Sequence, residues 1–248
     1  MAIQKNSPRN TIQKTTQRTQ KKRSIYIQMI LCLGDSFTFG EELKNPARSA
    51  WPALLSKLTG MPVENQGMPG SGNHRLIKEL INSFTSKKPL TAVIICWTSA
   101  HRQEHADQAG AFDIWPGCSG RTFTSIDTVH RKQLIKYITE YHNDVYDYRN
   151  WLRQVYTAQI LCESNGVPYV FFNAYGNEIL NKKYMENVEN KHLIESVNTQ
   201  HFVGWPYQGI VEWVYDLPKG PGGHTLEQGH QLIAEKIYEH IRNQHWVS

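Results

Sequence analysis

The sequence contains no apolar run that approaches the roughly 20 residues needed for a membrane-spanning helix. No apolar stretch followed by small residues, as in a secretory signal peptide, stands near its start. Cysteine is scarce, with four residues at spacings that match no zinc-binding pattern. These absences favour a cytoplasmic protein with reduced thiols, and predict neither a metal site nor a membrane partner.

Residues 1–24 contain no aspartate or glutamate and few apolar side chains. They hold seven of the Lys and Arg residues behind the net charge of +5, so the rest of the chain is close to neutral. Such a segment cannot bury enough apolar surface to offset the entropy of ordering, and we expect a disordered basic tail. Three interpretations of this tail are open. It is a passive extension, it precedes the true start of translation if that is Met29, or it contacts a polyanion through its charge. Nucleic acid is disfavoured as a partner.

Residues 25–248 are predicted to form one domain in which strands and helices alternate. The run TAVIICW at 91–97 is almost wholly apolar, which is typical of a parallel strand buried on both faces. Further strands are predicted at 25–33, 62–64 and Tyr169–Asn173. Helices are predicted at 47–58, Asn73–Thr85, 128–165 (with a break near 141–148) and 225–242. Residues 102–127 are predicted to form a loop, and 191–219 to be irregular. The pattern indicates a parallel sheet covered by helices, with ligands bound beyond the carboxyl ends of the strands.

The segment Gly34-Asp35-Ser36 follows the first predicted strand directly. A serine at a strand-to-helix turn exposes its Oγ, and its backbone N–H faces the same space. This arrangement suits a nucleophile whose developing oxyanion is met by nearby amides. The alternative is that Asp35 or Ser36 simply caps the following helix.

Two later segments also carry polar or glycine-rich chemistry. Residues 65–74 contain Gly67, Gly70 and Gly72, which let the backbone approach a ligand and present free N–H groups. Asn73 then begins a helix and could merely cap it. Near the other end, His224 stands at the entrance of an amphipathic helix, where it could accept a proton from Ser36. The alternative for His224 is an exposed loop histidine, and His230 inside the helix is predicted to be structural.

Taken in order, these blocks resemble the SGNH (GDSL-like) hydrolase superfamily. A GDS block comes first, an Asn-x-Gly-x-x-Gly block follows at 65–70, and a G-H-x-x-I-A-x-x-I helix at 229–237 comes after the histidine. The resemblance spans roughly residues 27 to 243. It implies a three-layer α/β/α fold, flavodoxin-like, with a central parallel sheet of about five strands. It also implies esterase, lipase, thioesterase or carbohydrate deacetylase activity without a metal or other cofactor.

The resemblance carries roles onto particular residues. Ser36 would attack the acyl carbonyl, and His224 would take its proton and pass it to the leaving group. The amides of Ser36 and Gly70 would form two parts of the oxyanion hole.

The chain departs from the family pattern at two places. The Asn that usually follows the third strand is missing, and Thr98 or Ser99 stands about where its side chain would complete the oxyanion hole. The Asp that usually lies three residues before the histidine is replaced by Pro221. Either a backbone carbonyl orients His224 in a Ser–His dyad, or Asp216 folds back to it.

The sequence leaves substrate and oligomeric state open. Asp35, Asn73 and Arg102 are assigned to substrate binding, although Arg102 could equally form a surface ion pair. An acyl or acetyl ester of a small molecule or sugar is the preferred substrate, because loop aromatics can stack on sugar rings. Ordinary loop packing is the alternative for those aromatics, which are Trp97, Trp115, Trp205, Tyr207, Trp213 and Tyr215. An acyltransferase, or an inactive fold used for binding, are the other hypotheses for function.

Overall fold

The computed structural model describes residues 28–107, 110–116, 128–176, 184, 186–244 and 246. The predicted tail at 1–24, Cys118 and the later part of the predicted loop at 117–127 lie outside the described residues.

The sheet at the centre of the fold is parallel, as the apolar strand patterns predict. Its strands are β1 (Met29–Gly34), β2 (Val63–Gly67), β3 (Leu90–Trp97) and β6 (Tyr169–Asn173). They lie in the order β2-β1-β3-β6, and all neighbours run parallel. Gly34 of β1 therefore ends beside Gly67 of β2, and Trp97 of β3 beside Asn173 of β6. The carboxyl ends of these strands form the edge of the sheet at which a ligand was predicted to bind.

A segment beside β6 takes the place of the fifth strand that the resemblance implies. Phe202 and Gly209 make isolated parallel bridges to Phe171 and Asn173 of β6. Between them lies Pro206, which has no N–H to donate to a strand ladder. The described part of the central sheet therefore has four strands and an irregular fifth position.

Helices cover both faces of this sheet, which confirms the α/β class. They are α1 (Ser36–Phe39), α2 (Pro46–Ser49), α3 (Trp51–Thr59), α4 (Asn73–Thr85), α5 (Thr128–Tyr141), α6 (Asp144–Ser164), α7 (Lys191–Ser196), α8 (Ile210–Trp213) and α9 (Glu227–Asn243). Alternate strand residues point to opposite faces. Leu31 and Leu33 accordingly pack with α4 and α6, whereas Ile30 and Cys32 pack with α3 and α9. No described helix has the length and apolarity needed to cross a bilayer.

Local signals explain where two predicted helices divide. The side chain of Asn143 accepts a hydrogen bond from Tyr146 N at 3.1 Å, so α6 begins at Asp144, three residues after the last residue of α5. The predicted helix at 47–58 divides at Ala50, whose backbone is extended. Pro52 lies in the first turn of α3, where the missing N–H costs nothing.

The predicted loop at 102–127 contains a β-hairpin that the sequence did not reveal. Its strands β4 (Gln103–Asp107) and β5 (Gly110–Ile114) pair antiparallel as a separate two-stranded sheet. Their sequences QEHAD and GAFDI are rich in residues that strands ordinarily disfavour. The hairpin follows β3 directly and therefore lies near the edge where the strands end.

His230 has the structural role predicted for it. Its side chain is buried in α9, and its Nδ1 accepts a hydrogen bond from Trp51 N at 3.2 Å. This bond satisfies a backbone donor at the start of α3 and joins the two helices on one face of the sheet. Burial lowers the pKa of His230 to about 4.

This buried histidine predicts a loss of stability in mild acid. The unfolded chain takes up a proton at His230 near pH 6.5, whereas the folded chain does so only near pH 4. The free energy of unfolding therefore has its full value above pH 6.5, and it falls by about 3 kcal/mol as the pH drops toward 4. Urea titrations across this range measure it.

The matched variant is His230→Asn, whose amide oxygen can still accept from Trp51 N. Burial also lowers the pKa of His201 and His240, so the informative quantity is the difference in pH slope between the two proteins. In the variant, the free energy of unfolding should depend less steeply on pH, because the proton that His230 takes up on unfolding no longer contributes. Equal slopes would contradict this account of His230.

Candidate active site

Ser36 lies at the sharp turn between β1 and α1. The Asp35 side chain caps α1 by accepting from Phe37 N at 3.0 Å, and Ser36 is the first residue of the helix. A Cβ at Gly34 would lie 2.0 Å from Thr38 Oγ1, so no larger residue fits there. The sequence offered two alternative roles for this segment, a helix cap and a nucleophile. The two roles are compatible, because Asp35 caps the helix while Ser36 remains at the turn.

The structure brings His224 to Ser36 from the other end of the chain. The distance between Ser36 Oγ and His224 Nε2 is 2.8 Å. The Phe37 ring packs against the imidazole with centroids 5.2 Å apart. The geometry needed for proton transfer between serine and histidine is therefore already formed.

A carboxylate that the sequence analysis did not identify orients this histidine. Glu42 Oε2 lies 3.0 Å from His224 Nδ1 and also accepts from the His224 backbone N–H at 2.9 Å. Glu42 Oε1 accepts from Gly222 N at 2.6 Å. Because a carboxylate only accepts, Nδ1 carries the proton and Nε2 is left to accept from Ser36.

The position of Glu42 is fixed by its backbone and by its neighbours. Its φ is +68°, a left-handed conformation that costs a non-glycine residue about 1–3 kcal/mol and often marks functional sites. The hydrogen bond from Gly222, with those from His224, lowers the pKa of Glu42 and keeps it ionised. A Cβ at Gly220 would lie 2.6 Å from the carboxyl carbon, so a glycine is needed for this approach.

Asp216 does not occupy the position that the sequence analysis offered it. It is exposed just after α8, and the Nδ1 position is taken by Glu42. A backbone carbonyl, the other candidate, is likewise replaced by that carboxylate. The only sequence signal for Glu42 is its place two residues after Gly40, which ends α1, the helix that begins with Ser36, with a φ of +88°.

The amides assigned to the oxyanion hole stand at the same edge of the sheet. Within the described residues, the N–H groups of Ser36 and Gly70 donate to no protein acceptor. Gly70 has a φ of +78°, which a side chain would disfavour, and it belongs to the turn that follows β2. Ser99 is nearly buried, and its Oγ accepts from His101 N at 3.3 Å.

Thr98 forms hydrogen bonds with Asn73 and with Asp35 of the turn that carries Ser36. Thr98 Oγ1 donates to Asp35 Oδ2 at 2.6 Å, and Thr98 N donates to Asn73 Oδ1 at 3.0 Å. The Asn73 amide also donates to the carbonyl oxygens of Thr98 and Ser99. These contacts hold the end of β3 against the start of α4. They occupy the groups that the sequence analysis assigned to the oxyanion hole and to substrate.

Arg102 is mostly buried and is not the surface ion pair that was one prediction for it. Its guanidinium contacts Asp35 Oδ2 at 3.2 Å and donates to Ser71 O at 2.7 Å. The same group lies 5.1 Å from the centre of the Trp115 ring. It therefore joins the turn that carries Ser36, the glycine-rich turn and the residue that follows the hairpin.

Removing this buried cation should destabilise the protein. Arg102→Met leaves the fully buried Asp35 carboxylate without its counter-ion, and the free energy of unfolding should fall by about 3–5 kcal/mol. Lys88→Met is the control, since its pair with Glu64 is about one-third exposed and should cost about 1 kcal/mol or less. Urea unfolding measures both. Equal losses in the two variants would contradict the role given to Arg102.

The aromatic side chains expected to stack on a sugar serve mainly in packing. Trp97 is fully buried, Trp205 stacks on Trp151, and Trp213 stacks on Phe172. Tyr207 and Tyr215 are exposed, and Trp115 remains beside the site through Arg102. In the described part of the chain, no group of three or more His, Cys, Asp or Glu is arranged to hold a metal ion.

Comparison with known proteins finds similar folds among solved structures. No family model and no curated protein sequence matches the chain. Among solved structures, the psychrotrophic esterase EstA from Pseudoalteromonas sp. is 14% identical over 88% of this chain and 98% of its own, with a TM-score of 0.52. A member of the lipolytic protein G-D-S-L family from Veillonella parvula DSM 2008 is 12% identical over 86% and 97%, with a TM-score of 0.47.

A carbohydrate esterase family 2 enzyme from Corynascus thermopiles is 13% identical over 88% of this chain and 67% of its own, with a TM-score of 0.48. At these identities the likeness concerns the fold alone. The parallel sheet and the TM-score of 0.52 with EstA confirm the α/β fold predicted from the resemblance to SGNH hydrolases.

Proposed function

We propose that this protein is a serine ester hydrolase with Ser36 as nucleophile, His224 as general base and Glu42 as the acid that orients it. The observation that carries this proposal is the unbroken chain of contacts from Ser36 Oγ through the imidazole to the carboxylate, at 2.8 and 3.0 Å. Three groups in this order activate a serine on unrelated folds. The esterase EstA, which has a similar fold, supports the same reaction class.

The reaction follows from the roles of the groups. Ser36 Oγ attacks the acyl carbonyl while its proton passes to His224 Nε2, and Glu42 stabilises the imidazolium that forms. The N–H groups of Ser36 and Gly70, with Ser99 beside them, are the proposed donors to the oxyanion. His224 then gives the proton to the leaving alcohol. Water, activated by the same histidine, releases the acid from the acyl-enzyme.

An ester of a small molecule or a carbohydrate is the substrate class proposed. An acyltransferase would use the same three residues, with an alcohol in place of water. The inactive binding fold is disfavoured, because a binding protein has no need of a serine, a histidine and a strained glutamate aligned in this way.

Initial rates on p-nitrophenyl acetate, butyrate and octanoate, and on acetylated sugars, test the proposal. The wild type should hydrolyse at least one of these esters, and Ser36→Ala should not. Ser86→Ala is the control because Ser86 is exposed at the opposite end of α4. Equal activity in the wild type and Ser36→Ala, or none in the wild type, would refute the proposal.

A further inference from the structure

Two consecutive carboxylates flank the imidazole of His224. Glu42 lies at Nδ1, and Glu41 Oε2 lies 3.5 Å from Nε2 on the other side of the ring. The backbone N–H groups of Gly40 and Glu41 both donate to Ser36 O at 3.0 Å, which fixes the turn that carries these side chains. The turn that presents the nucleophile therefore also places Glu41 next to His224.

Glu41 and Glu42 differ in their surroundings. The Glu42 side chain is 17% exposed and accepts two backbone N–H groups, whereas the Glu41 side chain is 42% exposed. Because Glu42 already orients the ring through Nδ1, Glu41 is not needed for that purpose. Its carboxylate remains open to solvent beside the nitrogen that receives the serine proton.

The position beside Nε2 has a chemical meaning in the proposed reaction. Nε2 passes its proton to the oxygen of the departing alcohol, so that alcohol must lie close to this nitrogen. A negative charge beside the same nitrogen attracts a cation carried by the alcohol and repels an anion. At about 6 Å in a partly exposed site, this interaction changes a rate roughly tenfold.

We infer that Glu41 is a specificity-determining residue that favours esters whose alcohol part carries a positive charge, such as amino-alcohol or quaternary ammonium esters. It disfavours esters with an anionic alcohol part. This inference rests on the proposed function, since it assigns the leaving-group side of the same Ser36–His224 site.

Three thioacetates that differ mainly in the charge of the leaving thiol test this inference. They are acetylthiocholine (cationic), 3,3-dimethylbutyl thioacetate (its neutral isostere) and S-acetylthioglycolate (anionic), with thiol release followed by Ellman's reagent. The wild type should show a kcat/KM for the cationic ester roughly tenfold above the neutral one, and lower still for the anion. Raising the salt concentration should reduce these ratios.

The decisive variant is Glu41→Gln, which keeps the shape of the side chain and removes its charge. It should lower the ratio of kcat/KM for the cationic ester to that for the neutral ester roughly tenfold relative to the wild type, while hydrolysis of the neutral ester continues. Glu239→Gln is the control for net charge, because Glu239 is exposed near the far end of α9, twelve residues after the helix begins. That variant should keep the wild-type ratios.

The outcomes separate this inference from the function on which it rests. Hydrolysis of the neutral ester with the same charge preference in the wild type and Glu41→Gln would overturn the role of Glu41 and leave the proposed function standing. The absence of hydrolysis of all three thioacetates and of the p-nitrophenyl esters would overturn both.

Discussion

Replacing His224 with alanine is expected to lower kcat for ester hydrolysis by about 10³- to 10⁶-fold. The physical reason is that Ser36 Oγ donates to Nε2 at 2.8 Å, and within the described residues no other base makes a hydrogen bond to this hydroxyl. Without a base, the serine must attack as a neutral alcohol, which is a weak nucleophile. Initial rates with p-nitrophenyl acetate measure the loss.

His192→Ala is the matched control, because His192 is exposed on α7 and should leave the rate unchanged. Circular dichroism of both variants checks that folding is retained. A rate for His224→Ala within tenfold of the wild type would remove His224 from the mechanism.

Glu42→Gln should lower kcat by about 10²- to 10⁴-fold, with a much smaller change in KM. The variant keeps the length of the side chain but loses the charge that stabilises the imidazolium. A neutral amide can also donate to the ring, which would favour the wrong tautomer. The loss in kcat therefore reports on transition-state stabilisation rather than on binding.

Asp216→Asn provides the contrasting variant. Asp216 is the acid that the sequence alone suggested, but it is exposed and Glu42 takes the position at Nδ1. Its replacement should leave kcat within about twofold of the wild type. A large loss in Asp216→Asn together with full activity in Glu42→Gln would reverse the assignment of the acid.

The parts of the fold that depend on local patterns could be predicted from the sequence. The apolar run of β3 and the helical spacing of apolar residues in α4 are patterns that a short stretch of sequence already shows. The structure places both elements at or within one residue of the predicted bounds. The β4–β5 hairpin was missed because its strands lack alternating apolar residues. Its position near the site depends on tertiary contacts, such as Asp113 accepting from Gly72 N.

The meeting of Ser36 and His224 followed from the order of the motifs, whereas Glu42 could not be found in that way. Its role depends on a left-handed backbone at a non-glycine residue, which no sequence pattern indicates. It also depends on a turn near residue 222 that lies 180 positions away in the sequence. The sequence analysis assigned Asp35 and Arg102 to substrate binding. In the folded chain both side chains are largely buried and form an ion pair with each other, and the sequence does not show this burial.

Reaction with a fluorophosphonate tests the central claim, that Ser36 is an activated serine, most directly. Such a probe bonds only to a nucleophile made reactive by its surroundings, and mass spectrometry of the digested protein locates the adduct. We expect a single phosphonyl group on the peptide that contains Ser36, with no labelling in Ser36→Ala and much slower labelling in His224→Ala. An unlabelled wild type, or an adduct on another residue that persists in Ser36→Ala, would contradict it.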